Sequence, residues 1–128
     1  MASRLSGIAH IVDDDDHVRN STIALLKAGG ILSRGHASGD AFLKDFDISA
    51  GGCILLDLHM PGLSGFQVLD NLREQGNRLP VVLFSGRTDS ITEELAIKLG
   101  AAALLPKPVA PMQLIKLVRL LLAEDAVG

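Results

Sequence analysis

Five polar positions in this chain stand where short, largely apolar runs stop. Residues 8–12 end on Asp13 and Asp14, residues 53–56 end on Asp57, residues 81–84 end on Ser85, and residues 101–105 are followed by Lys107 between two prolines. Three carboxylates make a hard-oxygen site suited to Mg²⁺, whereas a hydroxyl and an ammonium suit phosphoryl oxygens. A carboxylate can also attack phosphorus and carry it as an aspartyl phosphate, provided the charge on both groups is neutralised. Each residue alone says little: an aspartate after a strand commonly opens a turn, and a lone lysine is commonly solvated. Their joint chemistry requires a fold that brings the ends of separate apolar runs together.

The run 53–56, framed by Gly51-Gly52 and Pro61-Gly62, predicts a strand buried on both faces and ending at Asp57. Residues 8–12 predict a first strand. From Asp16 to Ala28 the positions Val18, Thr22, Leu25 and Leu26 share one helical face, and Gly29-Gly30 stops that helix. Residues 31–35 are more polar, as at a sheet edge, and Ser38 can cap a short helix carrying Phe42 and Phe46. A helix over 65–75 turns Phe66, Leu69 and Leu72 inward, and residues 79–84 form a fourth strand. Ser90 with Glu93 matches a capping box for a helix whose inner face is Ile91, Leu95 and Leu99. A fifth strand over 101–105 precedes a helix with an inner stripe of Met112, Ile115, Val118 and Leu122. Strand then helix, five times over, means a parallel sheet with helices on both faces. Ligands bind at the C-terminal edge of such a sheet, where Asp13, Asp14, Asp57, Ser85 and Lys107 all fall.

At 128 residues the chain has the size of one domain, with a core of about residues 8–123. Its 12 basic and 15 acidic residues give a net charge of −3 without a dense basic run, which disfavours direct nucleic-acid binding. Aromatics are 3% and all Phe, which argues against stacking platforms for bases or sugars. The one cysteine, Cys53, lies inside an apolar run, so neither a disulfide framework nor a cysteine metal site is expected, and a reducing cytoplasm fits. No signal-peptide core and no apolar stretch of membrane-spanning length is present.

Across nearly its whole length the chain resembles the receiver domain of two-component response regulators. The matching motifs are Ile11-Val12-Asp13-Asp14, Leu56-Asp57-Leu58-His59-Met60-Pro61-Gly62, Leu83-Phe84-Ser85-Gly86 and Lys107-Pro108. The resemblance implies a flavodoxin-like, doubly wound (βα)5 fold with a five-stranded parallel sheet of order 2-1-3-4-5. It implies that Asp57 accepts a phosphoryl group from a histidine kinase or a histidine phosphotransfer protein. By the same resemblance Asp14 and Asp57 ligate Mg²⁺ directly, Asp13 acts through water, and the backbone carbonyl of His59 completes the protein ligands. Ser85 and Lys107 would bind phosphoryl oxygens, and at Gly86 the backbone would approach the phosphate closely. The domain would be a switch catalysing only its own phosphoryl transfer and autodephosphorylation, in the cytoplasm. Its readers would be a downstream protein or a second copy, on the surface of helix four, strand five and helix five, where Leu114, Leu117, Leu120 and Leu121 add apolar area beyond the inner stripe.

Two departures stand out. Leu104 occupies the place of the family's aromatic switch residue, and Val109 replaces the usual aromatic after Lys-Pro. His59 and Arg87 border the pocket at positions that vary with dephosphorylation rate in the family. One alternative is a haloacid-dehalogenase-like phosphatase using Asp13 as nucleophile, but the acidic motif it needs after the lysine has only Glu124 and Asp125 to draw on. The other is a degenerate receiver serving only as a binding module, supported by the missing aromatic alone.

Overall fold

The computed structural model describes residue 5, residues 7–45 and residues 51–123. Ten elements alternate without exception: β1 (Ile8–Val12), α1 (Asp16–Ala28), β2 (Ser33–His36), α2 (Gly39–Asp45), β3 (Gly52–Asp57), α3 (Gly65–Glu74), β4 (Val81–Ser85), α4 (Ser90–Lys98), β5 (Ala103–Pro106) and α5 (Pro111–Leu122). All pairings among the five strands are parallel and the order is β2-β1-β3-β4-β5, the flavodoxin-like arrangement. The central strands β3 and β4 are unbroken apolar runs because helices cover both their faces. Edge strand β2, Ser-Arg-Gly-His, is polar for the opposite reason.

Side chains alternate across the sheet into two cores. Ile11, Cys53, Leu55, Val82 and Phe84 pack under α1 and α5 with Leu26, Leu114, Val118 and Leu122. Val12, Ile54, Leu56, Val81 and Leu83 pack under α2, α3 and α4 with Phe42, Val68, Leu69, Leu72 and Ala96. Burial raises the Cys53 thiol to about 12, so it is a small apolar filler and not a reactive thiolate.

The helical faces differ from expectation in three places. In α4 the buried residue is Ala96, while Ile91 and Ile97 are 76% and 77% exposed and Leu95 is also exposed. The helix starts from Asp89, whose carboxylate accepts from the Thr92 amide at 2.8 Å, and not from a Ser90–Glu93 box. The inner line runs through half-buried Thr92, buried Ala96 and half-buried Leu99, so Ile91, Leu95 and Ile97 fall off that face. In α5 the buried line is Leu114, Val118 and Leu122 at i, i+4 and i+8; Leu114 belongs to the core, and Met112 is exposed. In α1 only Leu26 is fully buried, and Val18 in the first turn is exposed. In α3, Leu69 and Leu72 are buried as expected, joined by Val68, while Phe66 is half-buried. The predicted Phe46 lies outside the described residues. Strand β5 begins at Ala103, because Ala101 is spent on the exit from α4, where its amide donates to the Ala96 carbonyl.

Candidate functional site

Parallel strands deliver their C-terminal ends to one edge; β1, β3, β4 and β5 bring Asp13, Asp57, Ser85 and Lys107 there, while β2 ends on His36. Asp57 is the last residue of β3 and Ser85 the last of β4; Asp13 and Lys107 follow β1 and β5 directly. Asp13 and Asp57 are buried, at 5% and 8% exposure, while Asp14 faces solvent. Carboxylate oxygens of Asp13, Asp14 and Asp57 lie within 4.8 Å of one another. The Lys107 ammonium lies 3.2 Å from Asp13 Oδ2 and 3.1 Å from Asp57 Oδ1. Burial alone would depress the Lys107 pKa, but Asp57 and Asp13 outweigh it and hold the ammonium above its ordinary range. Burial raises the Asp57 carboxyl, assisted by the Asp13 charge, against the opposing pull of Lys107. One lysine between two carboxylates leaves negative charge uncompensated, and a divalent cation fits that deficit.

The supports of these groups are specific. Asp13 Oδ1 accepts from the Asp15 amide at 2.9 Å, and its backbone is fixed at both ends: the amide donates to the His36 carbonyl, and the carbonyl accepts from Arg19 Nη1. Asp15 then caps α1, accepting from the amides of His17 and Val18, and Asp16 opens the first turn, paired with Arg19. The acidic run is thus divided between site, cap and helix dipole. At β4, the Ser85 hydroxyl donates to the Arg87 carbonyl, accepts from the Arg87 amide at 3.1 Å and lies 3.3 Å from His59 Nε2. Because its one proton is used on Arg87, the tautomer that satisfies this contact has His59 Nε2 donating. His59 itself is exposed, and the Lys107-Pro108 peptide is cis.

Two contributors escape a reading of the sequence alone. Gly65 opens α3 so close to β3 that a Cβ there would sit 2.7 Å from the Asp57 carbonyl oxygen and 2.8 Å from Leu58 Cα; its amide donates to the Leu58 carbonyl at 2.9 Å. The Ser64-Gly65 pair, read as cap plus close approach, is the signal that finds it. A Cβ at Gly86, by contrast, would meet open space. The second contributor is a pair of buried imidazoles behind Asp13. His10 Nδ1 lies 3.2 Å from His36 Nε2, and both rings pack against Phe42 at centroid distances of 5.5 and 5.0 Å.

Residues 9–119 match the response regulator receiver domain, and the chain belongs to that family, the signalling domains of two-component systems. It is 38% identical over 117 residues to the transcriptional regulatory protein FixJ of Azorhizobium caulinodans, covering 91% of this chain and 56% of that protein. To the response regulator protein TodT of Pseudomonas putida it is 34% identical over 119 residues, covering 93% and 52%. The chain therefore spans about half the length of the curated relatives it matches. Among solved structures, FixJ-N superposes with a TM-score of 0.81 at 31% identity, covering 88% of this chain and 90% of that one. The Vibrio cholerae chemotaxis protein CheY4 superposes at 0.83 with 24% identity, over 91% and 99%, a likeness of fold. Among the described residues no helix is long and apolar enough to cross a membrane.

Proposed function

We propose that Asp57 is the phosphoacceptor of this receiver, taking a phosphoryl group from a histidine kinase or histidine phosphotransfer protein and using it to change a protein-binding surface. The observation that carries this reading is the buried Asp57 carboxylate, held 3.1 Å from a lysine it shares with Asp13 at the sheet edge. Asp13, Asp14 and Asp57, with the His59 backbone carbonyl, would hold Mg²⁺, which supplies charge neutralisation at the phosphoryl oxygens. An Asp57 oxygen forms the new O–P bond as the N–P bond of the donor phosphohistidine breaks, and the departing imidazole nitrogen keeps the electron pair and takes up a proton. Lys107 stays on the developing negative charge. Ser85 must exchange its Arg87 carbonyl for a phosphoryl oxygen, and that exchange pulls the β4–α4 connection toward the site. The domain then catalyses only its own phosphorylation and hydrolysis.

Leu104, half-buried in β5 and packed against the core under α4, has neither a ring to swing nor a polar tip to expose. The signal accordingly runs from Ser85 into α4, whose exposed Ile91, Leu95 and Ile97, with β5 and with Met112 and Leu120 of α5, form the surface offered to a target or a second copy. In relatives about twice as long, such a surface would act on whatever else the protein carries. Intact-mass measurement after acetyl phosphate and Mg²⁺ tests the assignment: wild type gains one phosphoryl group and Asp57→Asn gains none. Undiminished labelling of the Asn variant at Asp13 overturns it in favour of a phosphatase-like site.

A further inference from the structure

A cavity of about 480 Å³ runs from the phosphoacceptor edge down between α1 and α5. Its walls are Val18, Thr22 and Leu25 of α1, Val109 at the entry to α5, and Leu114. Asp13, Asp57 and Lys107 stand at its polar end. It exists because the residue after Lys107-Pro108 is a short valine and because the Val18 side of α1 does not close onto the core. Its volume lies within the roughly 300–1,000 Å³ of small-molecule sites, and its makeup, apolar walls with a few converging polar groups, is theirs too.

The charge at the polar end selects the ligand. Two carboxylates face one ammonium, and that ammonium is already engaged by both, 3.2 and 3.1 Å away. The surplus is negative, and the exposed Asp14 carboxylate adds to it. An anionic ligand would meet this surplus with only the His17 imidazole, besides the engaged Lys107, to set against it, and a neutral one would leave it unanswered. We propose that the cavity binds a small organic cation, a primary amine or amidine on a single aromatic ring, with the ring between α1 and α5 and the head toward Asp13 and Asp57. Such a head uses the same carboxylates as the divalent cation of the phosphorylation reading. On that reading, amine and metal weaken each other's binding by the same factor, and the amine holds the receiver unphosphorylated.

The binding itself is measured without metal or phosphoryl donor, so its failure and the failure of Asp57 as phosphoacceptor are separate results. Metal-free protein is titrated with benzylamine, benzyl alcohol and benzoate, followed by calorimetry and amide NMR. Benzylamine is expected to bind with Kd on the order of 1 mM, as one-ring ligands do, about tenfold tighter than benzyl alcohol, with benzoate weaker still. Signals from α1 and from residues 107–114 should shift. Val109→Phe fills the cavity from the α5 side and Thr22→Leu from the α1 side; either variant that folds should lose benzylamine binding about tenfold. Equal affinity for amine and alcohol in the wild-type protein, which needs no variant, overturns the proposal. So does full benzylamine affinity in a folded, filled variant, which would mean that the carboxylates alone hold the amine.

Discussion

Helices α3 and α4 lie on the same face of the sheet and are held in opposite ways. Helix α3 begins with a complete capping box, Ser64 with Gln67, and buries Val68, Leu69 and Leu72 with no exposure at all. Helix α4 begins with a single Asp89 cap, buries only Ala96, and turns Ile91 and Ile97 to solvent. The difference follows what each helix is attached to. Gly65 of α3 rests on the backbone of Asp57, the group that our proposal holds fixed for an in-line attack. Helix α4 leaves from Ser85, the group that the proposed phosphorylation moves. Elements that shift are drawn from the least stabilised parts of a fold, and here low stability is achieved by burying an alanine where the neighbouring helix buries leucines.

The largest expected effect tests the tight side. Leu72→Ala should cost about 2–5 kcal/mol, the range for emptying a closed leucine site. Ile97→Ala, equally apolar but 77% exposed, should change stability by no more than about 0.5 kcal/mol. Urea denaturation of both variants reads the difference. Comparable losses would mean that α4 is held as firmly as α3 and that the contrast is false.

A smaller effect sharpens the comparison through α2, the third helix on this face. Its Phe42 packs on the His10–His36 pair. Burial, then the neighbouring His10 and Arg34, lowers His36 to about 4, and burial with Arg34 lowers His10. Both imidazoles therefore bind protons more weakly in the folded state than in the unfolded one. Their neutral forms contribute stability that is complete above about pH 6.5 and is lost as the pH falls from there toward 4, by roughly 2 kcal/mol or more for His36. Urea midpoints from pH 7.5 to 4.5 should fall more steeply for wild type than for His36→Gln. Parallel curves would show that the pair is already charged or open to water in the folded protein. Because the Asp13 amide donates to the His36 carbonyl, acid should disturb α2 and the Asp13 turn while α3 holds.

How much of this was legible in the sequence varied with the kind of signal. Strands β3 and β4 were plain, because double burial demands uninterrupted apolar runs; β1 was plain despite His10, and the fold followed from five strand–helix repeats. The five polar edge positions were plain for the same reason: each stops such a run. The faces of α4 and α5 were not. Both carry more apolar residues than one face can bury, so periodicity alone allows more than one register, and in α4 two adjacent residues, Asp89 and Ser90, are each competent caps. The imidazole pair was hidden because His10 inside an aliphatic strand gains its meaning only from the β1–β2 register, which pairs His10 with Arg34 and so sets His36 diagonally across on the same face. The cavity was hidden because a void is a property of packing; Val109 was its one trace.

The smallest effect bears on how α4 starts. Asp89 is exposed, and its carboxylate accepts from the Thr92 backbone, which is the first cause of its lowered pKa. The ionised cap is therefore in force above the ordinary carboxylate value of 3.8 and is lost only as the pH falls through its lower folded-state value. Asp89→Ala removes it at neutral pH. Helix α4 contributes little burial to the global transition, so the urea midpoint should barely move; the change should appear as faster amide exchange over residues 90–98, with residues 65–74 unaltered. Ser64→Ala is the matched test on α3. There the cap is joined to a fully buried face, and the loss, about 1 kcal/mol, should register in global denaturation, because α3 does not open separately from the core. If Asp89→Ala lowers the global midpoint as much as Ser64→Ala does, α4 unfolds with the rest of the sheet, and the freedom assigned to the segment following Ser85 is not there.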